Sequence, residues 1–275
     1  MIDAHQHFWR LGHNDCRWPT PDLAVIHRDY GPEDLKRLAG PAGVTGSVLV
    51  QSQPSDCDTD WLLALAAEEP FVLGVVGWVD LGASDAPARI ADLAACPKLK
   101  GLRPMLQDLE DDDWMLGAAL APAVAAMVRH DLVFDALVRP RHLPHLTVFA
   151  DRHPELSIVI DHAAKPGIGA GEDNSWRGDM ERLSRRPNVA CKLSGLLTEA
   201  PSAEARTCGA LRPYVDRLLA CFGPQRLMWG SDWPVAELAG DYAGWLAQAH
   251  VLTRAIGKDE QTSIFENTAR RVYGL

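Results

Sequence analysis

The sequence predicts a (β/α)8 TIM barrel, of α/β class, as a single domain over residues 1–275. Three observations carry that expectation. Eight short apolar runs have the length of strands and turn-forming residues near their ends. Each is followed by a stretch with apolar residues three and four apart, the spacing of a helix with one buried face. The 275 residues also suit a barrel formed as one unit of about 250 residues.

In chain order, a strand at 2–9 precedes a long loop and a helix at 34–38. Strands at 45–51, 71–79 and 99–105 are followed by helices at 60–69, 87–95 and 116–129. Strands at 132–138 and 156–162 precede helices at 143–152 and 176–184. The last two, at 188–193 and 226–232, precede helices at 208–221 and 242–256. The run Leu156-Ser157-Ile158-Val159-Ile160 is almost continuously apolar, which suits a parallel strand covered on both faces. Gly40-Pro41, Pro70, Pro97, Pro154, Pro187 and Gly223-Pro224 end helices ahead of the next strand. A doubly wound open sheet competes with the barrel, but it usually carries a glycine-rich phosphate loop after its first strand, and none is here.

Composition narrows the function. A net charge of −10 gives no attraction to phosphate backbones and argues against nucleic-acid binding. No apolar run approaches the ~18–20 residues of a membrane span. The first residues, Met1 to His7, have neither the basic nor the apolar region of a signal peptide, so a cytoplasmic location is expected. Cys16, Cys57, Cys96, Cys191, Cys208 and Cys221 are scattered without a CxxC pair and read as buried free thiols.

Residues two apart on a strand share a face, and barrel enzymes place their chemistry at the C-terminal strand ends. By that rule Asp3, His5 and His7 line one side of the first strand, and two imidazoles so placed can hold one divalent cation. On its own the pair also reads as two hydrogen-bonded structural histidines. Ile158, Ile160 and His162 alternate to the end of the sixth strand. Met228, Gly230 and Asp232 do so on the eighth, with Gly230 leaving room beneath the carboxylate. Imidazoles and an acid at three strand ends of one rim are hard to assign to separate structural causes.

Leu99, Gly101 and Arg103 bring a guanidinium to the rim of the fourth strand, as a clamp for substrate or as half of a buried ion pair. Trp78 caps the third strand, for stacking on a sugar or for rim packing. Gln51 alternates with Ser47 and Leu49, and Lys192 with Ser194; both are candidate substrate contacts. His27, in the loop after the first strand, has no supporting neighbour, and Glu110 to Asp113 reads as a solvated loop.

Five stretches carry a resemblance: Asp-Ala-His-Gln-His-Phe-Trp at 3–9, Lys-Gly-Leu-Arg-Pro at 100–104, Asp-His-Ala-Ala-Lys-Pro at 161–166, Cys-Lys-Leu-Ser-Gly-Leu at 191–196 and Gly-Ser-Asp-Trp-Pro-Val at 230–235. In them the chain resembles the amidohydrolase superfamily, and within it the L-fuconolactone and L-rhamnonolactone hydrolases. The resemblance implies a hydrolase that opens a small sugar lactone. It implies that His5, His7, His162 and Asp232 hold metal and that Asp232 handles the proton of the attacking water. The fuller metal pattern of that superfamily has Lys or Glu ending strand four and His ending strand five. Here those strands end in Arg103 and in Asp135-Ala136-Leu137-Val138, so a two-metal site is not expected. One divalent ion is, Zn²⁺ first because imidazole and carboxylate suit it, bound weakly or dispensable.

The mechanism this implies uses Asp232 as base toward water and then as proton donor to the leaving oxygen. His5, His7 and His162 polarise the carbonyl, through an ion or directly. Two other functions stay open at this point. One is decarboxylation or hydrolysis of a small aromatic or unsaturated acid on the same scaffold; the other is a non-catalytic sugar-binding barrel. A serine-hydrolase elbow is absent, and the rim carboxylates are too few for a paired-carboxylate glycosidase.

Overall fold

Eight parallel strands pair in the order of the chain, from β1 to β8. They are β1 (Ile2–Gln6), β2 (Gly46–Val50), β3 (Val72–Gly77), β4 (Leu99–Leu102), β5 (Val133–Ala136), β6 (Ile158–Ile160), β7 (Val189–Leu193) and β8 (Leu227–Trp229). The structure is a computed structural model that describes residues 1–169 and 174–275. The seam between β8 and β1 closes at the rim, where Asp232 N–H donates to the His5 carbonyl at 2.8 Å and His7 N–H to the Trp233 carbonyl at 2.8 Å. This is the expected barrel.

Helices Pro32–Ala39, Asp56–Glu68, Ala86–Ala94, Ala121–Arg129, Leu143–Arg152, Asn174–Ser184, Cys208–Phe222 and Tyr242–Thr253 follow the strands in turn. Their starts carry the chemistry that unsatisfied N–H groups require. Ser55 accepts from Cys57 N–H at 3.1 Å and Asp241 from Gly244 N–H at 2.7 Å. Among the described residues no helix is long and apolar enough to cross a membrane. All six cysteines are free as expected, but only Cys191 is buried: Cys57 is exposed, and Cys16, Cys96, Cys208 and Cys221 are half-buried.

Two apolar layers hold the strands. Leu49, Val75, Phe134, Ile158, Ile160 and Trp229 face outward into the helices. Ile2, Ala4, Val48, Val50, Val76, Val133, Val159, Ala190 and Met228 fill the barrel. Burying each such side chain stabilises by roughly 1.5–3 kcal/mol, so a dry floor forms beneath whatever the rim presents. The C-terminal helix Thr268–Tyr273 packs Ala269 and Tyr273 against that floor from the far mouth.

Strand β1 departs from simple alternation. Asp3 pairs with Ser47 but Gln6 pairs with Leu49, three steps on one strand against two on the other. This bulge lets Ala4 and His5 both point inward. Asp3 turns away from the histidines expected beside it, and its Oδ1 accepts from Ser231 N–H at 2.8 Å.

Candidate active site

His5, His7, His162 and Asp232 meet at the C-terminal mouth, all of them buried. The Nε2 atoms of His5 and His7 are 3.1 Å apart. Asp232 Oδ1 lies 3.5 Å from His7 Nε2 and 3.8 Å from both His5 Nε2 and His162 Nε2. Two glycines make this closeness possible. A Cβ on Gly230 would sit 2.7 Å from His5 Cβ, and one on Gly195, whose φ is +67°, 2.6 Å from His162 Cγ.

His162 arrives by a route that alternation does not describe. Val159, not Ile158 or Ile160, faces the barrel interior. Strand β6 stops at Ile160, and His162, Ala163, Ala164 and Lys165 all have positive φ, between 51° and 59°. This left-handed turn brings Asp161 and His162 into the mouth together. The sequence names Asp161 only within the 161–166 stretch and gives it no role, although its parity with Val159 marks it as inward-facing.

Each imidazole is oriented by a neighbour. A carbonyl only accepts, so the 2.8 Å contact of His7 Nδ1 with the Val50 carbonyl puts a ring hydrogen on Nδ1 and turns Nε2 toward His5 and Asp232. His162 Nδ1 pairs with Ser194 Oγ at 2.9 Å. Burial lowers His162 to about 4 against the pull of Asp232 and Asp161. Burial and the adjacent Lys192 hold His5 well below its ordinary value. Burial pushes Asp232 up, but the imidazoles of His162, His7 and His5 outweigh it and keep the carboxyl well below the usual range. At neutral pH the Asp232 carboxyl is ionised and the His5 and His162 rings are neutral.

That set suits a divalent ion. His5, His7 and Asp232 offer ligand atoms within 4.8 Å of one another. A second group, His5, Asp161 and His162, shares His5 with the first. Leu137, past the end of β5, lines the cavity with an aliphatic chain and adds no ligand.

Below the rim lies a layer of buried charge. Lys192 Nζ is 2.5 Å from Asp135 Oδ2, 2.9 Å from Asp161 Oδ1 and 3.1 Å from His5 Nδ1. Arg103 Nη1 is 3.3 Å from Asp161 Oδ2 and 3.5 Å from His5 Nε2, and Nη2 donates to the Gln51 carbonyl at 2.5 Å. Two cations face two carboxylates, so the layer is self-neutralised, the condition for burying charge at tolerable cost. Arg103 thus fills both of its expected places, an ion pair below and a wall of the cavity above.

Two residues expected as substrate contacts lie outside the cavity lining. Lys192 is fully buried beneath His5, hydrogen-bonded to Asp135 and His5 and ion-paired with Asp161, and it does not line the cavity. Gln51 lies on the opposite face of β2 from Val48 and Val50, and its amide donates to the Arg103 carbonyl at 3.0 Å; Ser52 and Gln53 reach the cavity in its place. Trp78 does line it, and His27 does not. Asp135 was read only as part of a strand lacking histidine; a charged residue inside an apolar strand signals a buried partner, here Lys192.

The cavity over this site measures about 1230 Å³ and is walled by Trp18, Trp78, Met105, Trp114 and Leu137, with Lys165 and Glu199 paired at 3.2 Å. It is a concave pocket whose aromatic and aliphatic walls are interspersed with polar and charged side chains such as Asp15, Arg17, Gln53, Arg103 and Asp108, and its size is that of a small-molecule site. The sequence profile of the amidohydrolase family matches residues 2–275. The chain belongs to the amidohydrolase family, and it is an enzyme. This amidohydrolase is 51% identical to an L-fucono-1,5-lactonase of Burkholderia ambifaria, over 100% of the chain and 95% of that relative. It is 37% identical to an L-fucono-1,5-lactonase of Burkholderia multivorans, over 100% of the chain and 96% of that relative. A crystal structure of a Burkholderia multivorans amidohydrolase with bound zinc superposes with a TM-score of 0.93 at 36% identity, covering 100% of this chain and 99% of that one. The family and the donor set together support a divalent metal at this amidohydrolase's rim.

Proposed function

We propose that the chain hydrolyses a sugar-derived lactone, an aldonolactone of the L-fucono-1,5-lactone or L-rhamnonolactone kind, to the open sugar acid. One observation carries the reading: a charged Asp232 ringed by His5, His7 and His162 at the mouth of a small-molecule cavity, in a chain 51% identical from end to end to an L-fucono-1,5-lactonase.

Hydrolysis joins the water oxygen to the acyl carbon, breaks the acyl–oxygen bond of the ring and leaves a hydroxy acid that ionises. Asp232 takes the proton of the attacking water and returns it to the departing ring oxygen. Its low proton affinity keeps it in the receiving form at neutral pH. The imidazoles stabilise charge that develops on the carbonyl oxygen, with His162 held in place by Ser194. Arg103 orients substrate hydroxyls or the nascent carboxylate, and Trp78 offers a face to the sugar ring. His5, His7, His162 and Asp232 would hold one divalent ion, Zn²⁺ first, which when bound supplies Lewis acidity toward the carbonyl and a more acidic water.

The test is a panel of aldonolactones followed with a pH indicator. Opening of at least one lactone with release of acid is expected. Failure to open any member, or proton uptake with loss of carbon dioxide from a small acid, overturns the reading.

A further inference from the structure

The loop that follows β1 is tied down at two levels. At its base Trp9 and Tyr30 exchange main-chain hydrogen bonds of 3.2 and 3.1 Å, and Trp9 Nε1 donates to the Arg28 carbonyl at 2.8 Å. Its tip brings Asp15, Arg17 and Trp18 to the cavity. There Ser55 Oγ donates to Asp15 Oδ2 at 2.6 Å. Gln53 holds the tip more extensively. Its Oε1 accepts from Arg17 N–H at 3.1 Å and from Trp18 N–H at 3.4 Å, and its Nε2 donates to the Trp18 carbonyl at 2.7 Å.

A primary amide has two hydrogens and an oxygen that accepts twice. The second hydrogen of Gln53 meets Ser52 Oγ at 3.2 Å, so all four capacities are filled within the protein. Gln53 therefore borders the cavity with nothing left to offer a ligand. The flipped amide would set N–H against N–H, so the main chain of the loop also fixes which end is oxygen. What Gln53 governs is the indole of Trp18, which packs T-shaped on Trp9 with ring centres 5.4 Å apart. The mounting extends further along the wall. Asp58 accepts from the N–H groups of Ser52 and Gln53 at 3.1 and 3.2 Å. Thr59 Oγ1 accepts from Trp78 N–H at 2.8 Å and donates to the Trp78 carbonyl at 2.9 Å. The first turn of the helix Asp56–Glu68 thus supports both Trp18 and Trp78.

We propose that Gln53 is a positioning residue that clamps the Trp18 indole in place as a wall against which the sugar ring packs. It touches no substrate and acts through the loop tip that it holds. An indole fixed in advance offers its face at no cost, whereas a loose one has to be ordered when the ligand arrives, and that ordering is subtracted from affinity. The clamp therefore acts on binding, apart from the proton transfer at Asp232, and its loss shows in KM rather than in kcat. The effect on KM rests on the lactonase reading; the clamp does not.

Amide hydrogen exchange of the wild-type protein, resolved by NMR, is the first arm of the test and needs no variant to fold. The Arg17 and Trp18 amides should be protected, and Gln53→Met, which keeps the length of the side chain and gives up its hydrogen bonds, should release both. The second arm is a double-mutant cycle on an opened lactone. Gln53→Met should raise KM about 3- to 10-fold, the size of one aromatic contact, with kcat within about twofold of wild type. Trp18→Ala should do the same, and the double variant should be no worse than Trp18→Ala alone, because Gln53 acts through that indole. Arg17 and Trp18 amides that exchange freely in the wild-type protein overturn the proposal. So does a Gln53→Met protein that loses kcat at unchanged KM, and so do penalties of the two variants that add in full, since the loss is then merely structural. A wild-type protein that opens no lactone sinks the lactonase reading instead, and the hold of Gln53 on Trp18 is then decided by the exchange arm.

Discussion

Asp232 at the rim and Asp135 one layer below are both buried carboxylates at the C-terminal half of the same barrel, and their surroundings send them opposite ways. Asp232 stands among three imidazoles beside the cavity and is held well below the ordinary carboxylate range. Asp135 is pushed up to about 6, by burial first, even with Lys192 pulling it down; the nearby Asp161 adds to the rise. The rim carboxylate is a free acceptor with room for water in front of it. The lower one is a strut whose oxygens are spoken for by Lys192 and Tyr273. Residue type does not divide structure from chemistry here. Access to the cavity does.

This division predicts that changes in the lower layer show first as stability and changes at the rim first as turnover. The largest structural effect is expected from Arg103→Ala, which strips a buried cation from Asp161 and from the Gln51 carbonyl. Breaking a buried pair on one side costs about 3–5 kcal/mol, to be read as a loss in denaturant midpoint, with activity falling as well. Gly230→Ala drives a methyl against His5 and should cost about 1–3 kcal/mol in the same measurement. Ser194→Ala tests the rim: it removes the partner of His162 Nδ1 and should lower kcat about tenfold with little change in stability. Trp78→Ala is the smallest, a KM raised by a few fold, in line with the ~0.5–1.5 kcal/mol of an aromatic contact. A rim variant that unfolds the protein while leaving the kcat of the folded fraction intact would break the comparison.

The barrel was legible because parallel strands covered on both faces are apolar throughout and their helices repeat at 3.6 residues, signals that survive boundary errors. Observed strands are shorter than read, β6 being Ile158–Ile160 against an expected 156–162, since the chain turns off at the rim to build the mouth. Side-chain direction was legible only where the period of two holds. It holds on β7, where Ala190 and Lys192 both face inward, and on β8 from Met228 upward. It fails on β1, where the bulge separates Asp3 from His5, and past β6, where left-handed residues bring in Asp161 beside His162. The alternation drawn through Ile158 and Ile160 therefore named His162 for a reason the backbone does not supply. Gln51 was misdirected by the same parity rule. Lys192 faces inward as read, but the two carboxylates that capture it come from β5 and from beyond β6, pairings that no local pattern displays.

The claim on which the rest turns is that Asp232 moves the proton. Steady-state turnover of an opened lactone by Asp232→Asn, compared with the wild-type enzyme at equal folded concentration, tests it most directly. The amide keeps the shape and removes the acceptor, so kcat should fall at least about 100-fold. Turnover within a few fold of wild type would contradict the account.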